Sequence, residues 1–171
     1  MPSNAFLLEE RIPAGCHHAL LLKREGDPVS LAIERTKTYD DARVVDCSSP
    51  TTREGLIHRA WEESDQREFL VPCLTCGHYQ RLTFERFTWP ERPDNVSHRQ
   101  HAAWIAARDV VRFPCEACGA EHGERHRLRM LQRGLWVPAG CTVDTQGVIH
   151  GLPELPSPHR GYRITTLAST T

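Results

Sequence analysis

Two copies of one short pattern carry the residues most suited to chemistry: Phe69-Leu70-Val71-Pro72-Cys73-Leu74-Thr75-Cys76-Gly77 and Val110-Val111-Arg112-Phe113-Pro114-Cys115-Glu116-Ala117-Cys118-Gly119. Each leads apolar residues into Pro-Cys-x-x-Cys-Gly, and together they offer four sulfurs, the donor set of a closed tetrahedral zinc site. Two residues between cysteines let one tight turn aim both thiolates at the same ion. The glycine that follows permits the close backbone approach and positive φ of such a knuckle. A single CxxC also serves thioredoxin-like redox sites, but those need only one pair within a βαβ pattern, so duplication favours a structural metal, Zn²⁺. The competing redox reading predicts reversible Cys73–Cys76 and Cys115–Cys118 disulfides without metal. The span from Cys76 to Cys115 exceeds the usual finger gap, so an insert must lie between the knuckles. Cys16-His17-His18 is a second trio of metal-ligand types, although adjacent ligands without a partner loop more often lie on a surface.

The rest of the chain must position these sulfurs. Its 171 residues, 39% hydrophobic, suffice for one domain or two small ones with modest cores. With 21 basic and 22 acidic residues, net charge −1, no global field points to nucleic acid, and any such contact must be a local patch. Seven cysteines, an odd count with four in metal spacing, fit a reducing interior better than secretion, which implies a cytoplasmic location. The apolar run Ala19 to Leu22 is far too short to span a bilayer. Glu9, Glu10 and Arg11 stand where a signal peptide has its basic region, so neither membrane contact nor a targeting segment is expected.

Asp27 as N-cap, Pro28 in the first turn and Leu31, Ala32 and Ile33 on one face predict a helix over 28–38. A strand-like run over 43–47 follows, then the break Ser48-Ser49-Pro50-Thr51. Thr51-x-x-Glu54 has the form of a capping box opening a second helix, with Leu56, Ile57, Ala60 and Trp61 on one face. Helix, strand, loop, helix is α/β grammar, and two units are expected to meet near Asp65. Ribbon strands are predicted over 68–71, 79–84 and 110–113. Between the knuckles, Ser97 caps an alanine-rich helical insert containing Trp104 and Ile105. A short helix over 125–133, stopped by Gly134, would bury Leu128, Met130 and Leu131. Its Arg125, Arg127, Arg129 and Arg133 form either a solvated face or a phosphate-contacting one. Residues 138–160 have the composition of a linker, and 161–167 that of a final strand.

Taken in order, these stretches resemble the large terminase subunit of tailed bacteriophages, specifically the lambda-type large-subunit family. The residues that carry the likeness are Glu25-Gly26-Asp27-Pro28-Val29-Ser30-Leu31-Ala32 with Arg35-Thr36, Ser48-Ser49-Pro50-Thr51, and Ser64-Asp65-Gln66 running into Val71-Pro72-Cys73 and Cys76-Gly77-His78. It continues through Cys115, Cys118, Gly119, Met130-Leu131, Gly134, Trp136-Val137-Pro138 and Gly161-Tyr162-Arg163-Ile164, covering about residues 25–169. The resemblance implies an α/β C-terminal remnant of a P-loop ATPase domain followed by a small β-rich zinc ribbon with a helical insert. The corresponding divisions are a divergent segment 1–26, a partial ATPase domain 27–66, a zinc ribbon 67–137 with its insert at 90–109, and a linker and strand 138–171 leading toward a nuclease domain.

The resemblance further implies ATP-driven translocation and cleavage of double-stranded phage DNA, partnership with a terminase small subunit and a portal, and a place in the bacterial host cytoplasm, as phage or prophage. ATP and Mg²⁺ belong to the full-length relative. Ser48, Ser49, Pro50 and Thr51 match the coupling motif, at the carboxyl end of a parallel strand where α/β proteins place nucleotide-sensing groups. As residues alone they also fit an ordinary helix start. Glu9 and Glu10 are either a relic of the family's acidic pair, which holds Mg²⁺, or ordinary acidic surface. No GxxxxGK[ST] phosphate loop occurs in the sequence. The nuclease carboxylates are expected beyond Thr171, so the chain is expected to be inactive alone, with no catalytic residues. The alternative is a free-standing zinc-ribbon module for DNA or protein, using the arginine cluster with Tyr79, Trp89 and Trp104 as stacking groups.

Overall fold

The computed structural model of the chain describes residues 4–9, 28–40, 42–49, 52 and 55–168. In chain order these form β1 (Asn4–Glu9), α1 (Pro28–Thr36), β2 (Val45–Ser48), α2 (Leu56–Glu62), β3 (Arg67–Pro72), β4 (Tyr79–Gln80), α3 (His98–Ala106), β5 (Phe113–Pro114) and β6 (Glu121–His122). They continue as α4 (Glu124–Gln132), β7 (Leu135–Val137), β8 (Thr142–Val143), β9 (Ile149–His150) and β10 (Arg160–Thr165), with 3₁₀ turns at Phe84–Arg86 and Thr166–Ala168. No helix among the described residues is long and apolar enough to cross a membrane.

One six-stranded sheet, in the order β2-β1-β10-β3-β4 with β7 also on β3, holds elements from every part of the chain. The helix-strand-helix order at the start suggests parallel pairing, but the fold is mixed α/β with largely antiparallel ladders. The β10 to β3 pair is parallel; β1 to β10, β1 to β2, β3 to β4 and β3 to β7 are antiparallel. β2, which carries the start of the Ser48–Thr51 segment, lies at the sheet edge, and β1 satisfies its ladder by direct antiparallel pairing, Phe6 opposite Ser48 and Glu9 opposite Val45. The last strand does not run outward: β10 sits between β1 and β3. Gly161 makes that position tenable, since a Cβ there would lie 2.0 Å from Ser64 Oγ and 3.0 Å from the Trp61 ring.

Asp65, at the expected junction, ties the parts together. Its carboxylate accepts from Arg67 Nε at 2.7 Å and from the Gly161 amide at 3.2 Å. Its backbone bonds the His159 carbonyl and the Ala139 amide. Residues 138–160, expected as linker, contain the β8–β9 hairpin, whose turn is fixed by Asp144 Oδ1 accepting from the amides of Gln146 and Val148, both at 2.9 Å.

The core that supports the cysteines consists of Val71, Leu82, Phe113, Met130 and Leu131, with Phe69, Leu74 and Phe87 against it. β3 and β5 each deliver one core residue and then a proline into a Cys-x-x-Cys turn. α4 closes the core from one side with Met130 and Leu131, and burying side chains of this size contributes about 1.5–3 kcal/mol each. Gly134 follows α4 because the Phe69 ring packs onto its backbone, 2.2 Å from where a Cβ would stand.

Candidate metal centre

Two turns of the same construction bring the four cysteines together. In the first, the Cys73 amide bonds the His78 carbonyl at 2.8 Å and the Gly77 amide bonds the Cys73 carbonyl at 2.9 Å. In the second, the Cys115 amide bonds the Ala120 carbonyl at 2.9 Å and the Gly119 amide bonds the Cys115 carbonyl at 2.9 Å. Both glycines sit at positive φ, 77° at Gly77 and 71° at Gly119, the conformation that turns the chain back after the second cysteine. The four sulfurs lie within 4.8 Å of one another. Cys73 Sγ to Cys118 Sγ is 3.8 Å and Cys76 Sγ to Cys115 Sγ is 3.7 Å. A tetrahedral zinc thiolate with bonds of about 2.3 Å has sulfur–sulfur edges of about 3.8 Å, the length of these two contacts. The described cysteines are all free thiols; Cys47 and Cys141 lie outside the cluster.

Crowding divides the thiols by charge. Burial raises the Cys73 thiol, but the Cys76 amide, the His122 ring and the Thr75 amide outweigh it and bring its pKa down to about 5. Cys76 goes the other way, to about 12: the His78 amide favours its thiolate, whereas burial and the three surrounding sulfurs oppose it. Four thiolates at these separations need a cation between them, and a divalent ion with soft-ligand affinity meets that need. A metal here would be held by Cys73, Cys76, Cys115 and Cys118, and a four-sulfur shell leaves no open position for substrate, the mark of a structural rather than catalytic ion.

Side chains outside the cysteine pattern lace the turns together, and periodicity or spacing in the sequence did not reveal them. Gln80, buried, accepts from the Glu116 amide at 2.9 Å and from Arg86 Nη1 at 3.3 Å. Arg86 also donates to the Pro114 carbonyl at 2.6 Å, pairs with Glu116 at 2.8 Å and stacks over the Phe113 ring at 5.0 Å. His78, just past the first turn, meets Glu116 of the second at 2.9 Å. His122 Nε2 lies 3.2 Å from Cys73 Sγ. His78, Gln80, Glu116 and His122 lie within four positions of a cysteine pair, whereas Arg86 lies ten beyond Cys76 and carries no local signal.

The other sequence-derived sites do not converge on this centre. Ser48 and Ser49 are exposed at the end of β2, with Ser48 Oγ donating to the Ser49 carbonyl at 3.4 Å; Pro50 and Thr51 lie outside the described residues. Glu9 ends β1, while Glu10 and Cys16-His17-His18 lie outside the described residues. The arginines of α4, with Arg133 just past its end, divide between two faces. Arg127 is turned inward, paired with Glu124 at 2.6 Å and donating to the Leu167 carbonyl at 2.9 Å. Arg125 is 87% exposed and reaches Asp109 at 3.4 Å, and Arg129 and Arg133 are exposed. Of the stacking candidates, Trp89 and Trp104 are exposed, whereas Tyr79 is half-buried, its hydroxyl donating to the Arg133 carbonyl at 3.3 Å.

Neither curated proteins nor solved structures yield a match to the chain. The family model of the phage terminase large subunit gpA, ATPase domain, matches residues 16–136. That span runs through α1, β2, α2, both cysteine turns and α4, and ends in β7. The chain therefore belongs to the phage terminase large subunit gpA ATPase-domain family.

Proposed function

We propose that this chain is a section of a lambda-type DNA-packaging terminase large subunit whose doubled cysteine turn holds one structural zinc ion. The ion ties together the two cysteine turns of the ribbon, residues 67–137, across the insert between them. The observation that carries the reading is the sulfur cluster, two turns of like backbone construction with sulfur separations of 3.7 and 3.8 Å, in a chain of this family. The chemical role of the zinc is to fold and fix a small unit with few large apolar residues, as metals do in modules that cannot build a sufficient core.

On this reading the exposed Ser48 and Ser49, with Pro50 and Thr51, serve as the coupling segment of the packaging motor. Arg125, Arg129 and Arg133 form a local basic face toward double-stranded DNA, alongside a small subunit and a portal in the host cytoplasm. Residues 1–171 hold no phosphate loop, so this chain by itself does not turn over ATP and serves instead as a fixed part of the larger machine. The test pairs elemental analysis with an ATPase assay. One zinc per chain and no turnover above a metal-stripped control support the proposal, and a metal-free folded protein or genuine turnover refutes it.

A further inference from the structure

We infer that His122 is a positioning residue for the metal centre: it donates its Nε2–H to the Cys73 thiolate and thereby makes the second turn a charge partner of the first. The inference rests on the metal reading above. Both groups are buried, Cys73 at 1% and His122 at 5% exposure, and they are 3.2 Å apart. A metal-bound thiolate can only accept, so the proton in this contact must sit on the ring. Cys73 also receives the Thr75 amide at 3.4 Å and the Cys76 amide at 3.5 Å, both from its own turn. His122 is the side-chain donor, and it comes from the far side of the cluster.

Its orientation is built in. β6 pairs with β5, placing His122 opposite Phe113, the core residue two positions before Cys115. The His126 ring of α4 meets the His122 ring edge-on, centroids 5.6 Å apart at 90°. His126 is itself fixed, its Nδ1 accepting from the Gly123 amide at 3.2 Å. Four thiolates around one divalent cation leave two negative charges in a partly buried site. Hydrogen bonds that spread this charge decide how firmly the ligands hold, and loss of such an outer partner typically weakens metal binding by roughly ten- to a hundred-fold. The arrangement links metal retention to the docking of α4 through one ring-to-ring contact.

The test uses the full chain loaded with Co²⁺, compared with His122→Phe, which keeps the ring shape and removes the donor, and His122→Gln, which restores an N–H. One Co²⁺ bound by the unmodified chain establishes the metal site itself. With that in hand, the inference expects the sulfur-to-cobalt charge-transfer band of His122→Phe to move to lower energy, metal loss to a competing chelator to rise by roughly ten- to a hundred-fold, and His122→Gln to recover part of both. An unchanged band and unchanged retention in His122→Phe overturn the inference while leaving the metal site standing. If His122→Phe does not fold, ¹⁵N spectra of the unmodified chain loaded with ¹¹³Cd decide: a proton on Nε2 coupled to cadmium supports the bond, and a proton on Nδ1 alone contradicts it. Failure of the unmodified chain to bind either metal removes the reading on which the inference rests.

Discussion

At the scale of single residues, the two knuckle glycines have equal conformational duties but unequal surroundings. A Cβ on Gly119 meets nothing within 4 Å, whereas one on Gly77 falls 3.0 Å from the Thr145 carbonyl oxygen and 3.1 Å from Thr145 Cβ. Gly119→Ala should therefore cost about 1 kcal/mol, the strain of positive φ alone. Gly77→Ala should cost clearly more, because the loop before β9 must also move. Urea unfolding of the metal-loaded variants measures the difference, and equal losses would count against this packing of the first knuckle. The cysteines and their glycines were legible in the sequence because a metal knuckle is local and its spacing is fixed by ligand geometry. Gln80, Arg86, Glu116 and His122 were not, because their partners are distant in sequence and were met only through folding.

At the scale of elements, α4 begins without a side-chain cap of its own. Gly123 stands at its N-cap, and Asp109, from the end of the insert, accepts the Glu124 amide at 3.3 Å in place of a local cap. A side chain at Gly123 would be 2.8 Å from that carboxylate, which explains the glycine. The Glu124 amide, with Arg112 and Arg125 nearby, holds the Asp109 carboxyl below its ordinary 3.8 despite some desolvation. A depressed carboxyl stabilises the fold fully above its unfolded value and loses that contribution as pH falls through the folded one. The difference in Tm between the unmodified chain and Asp109→Asn should thus be full at neutral pH and vanish in acid below 3.8. A difference independent of pH would show that the charge is idle.

Elements with local signals were the legible ones. The expected Ser97 cap forms a complete box with Gln100, bonded at 3.3 and 3.1 Å, and α3 starts after it. The strand expected over 110–113 shrinks to β5, with Arg112 held instead by a bridge to Thr88. The helix expected from Thr51 begins at Leu56, behind Gly55 in extended conformation, with Thr51 and Glu54 outside the described residues.

At the scale of the whole molecule, β3 joins the late strand to the first cysteine turn. Its first residues, Arg67 and Glu68, pair with β10, and its last, Val71 and Pro72, pair with β4 and lead into Cys73. A division near Asp65 follows from the order of helices and strands, and a linker from 138 follows from composition; neither signal registers that a late strand returns between two early ones. Removing the metal should therefore lower amide protection first in residues 67–82 and 113–133 and spread to β10, while α1 changes less. Uniform loss across the chain would argue against a ribbon with its own metal-dependent stability, and no loss at all would argue against the metal.

The most direct test of the central claim is X-ray absorption at the zinc edge of the purified chain. The cluster of Cys73, Cys76, Cys115 and Cys118 predicts one zinc with four sulfur neighbours at about 2.3 Å. A shell of three sulfurs and one nitrogen would contradict it by making His122 a ligand rather than a donor, and a zinc-free folded chain with Cys73–Cys76 and Cys115–Cys118 disulfides would contradict it outright.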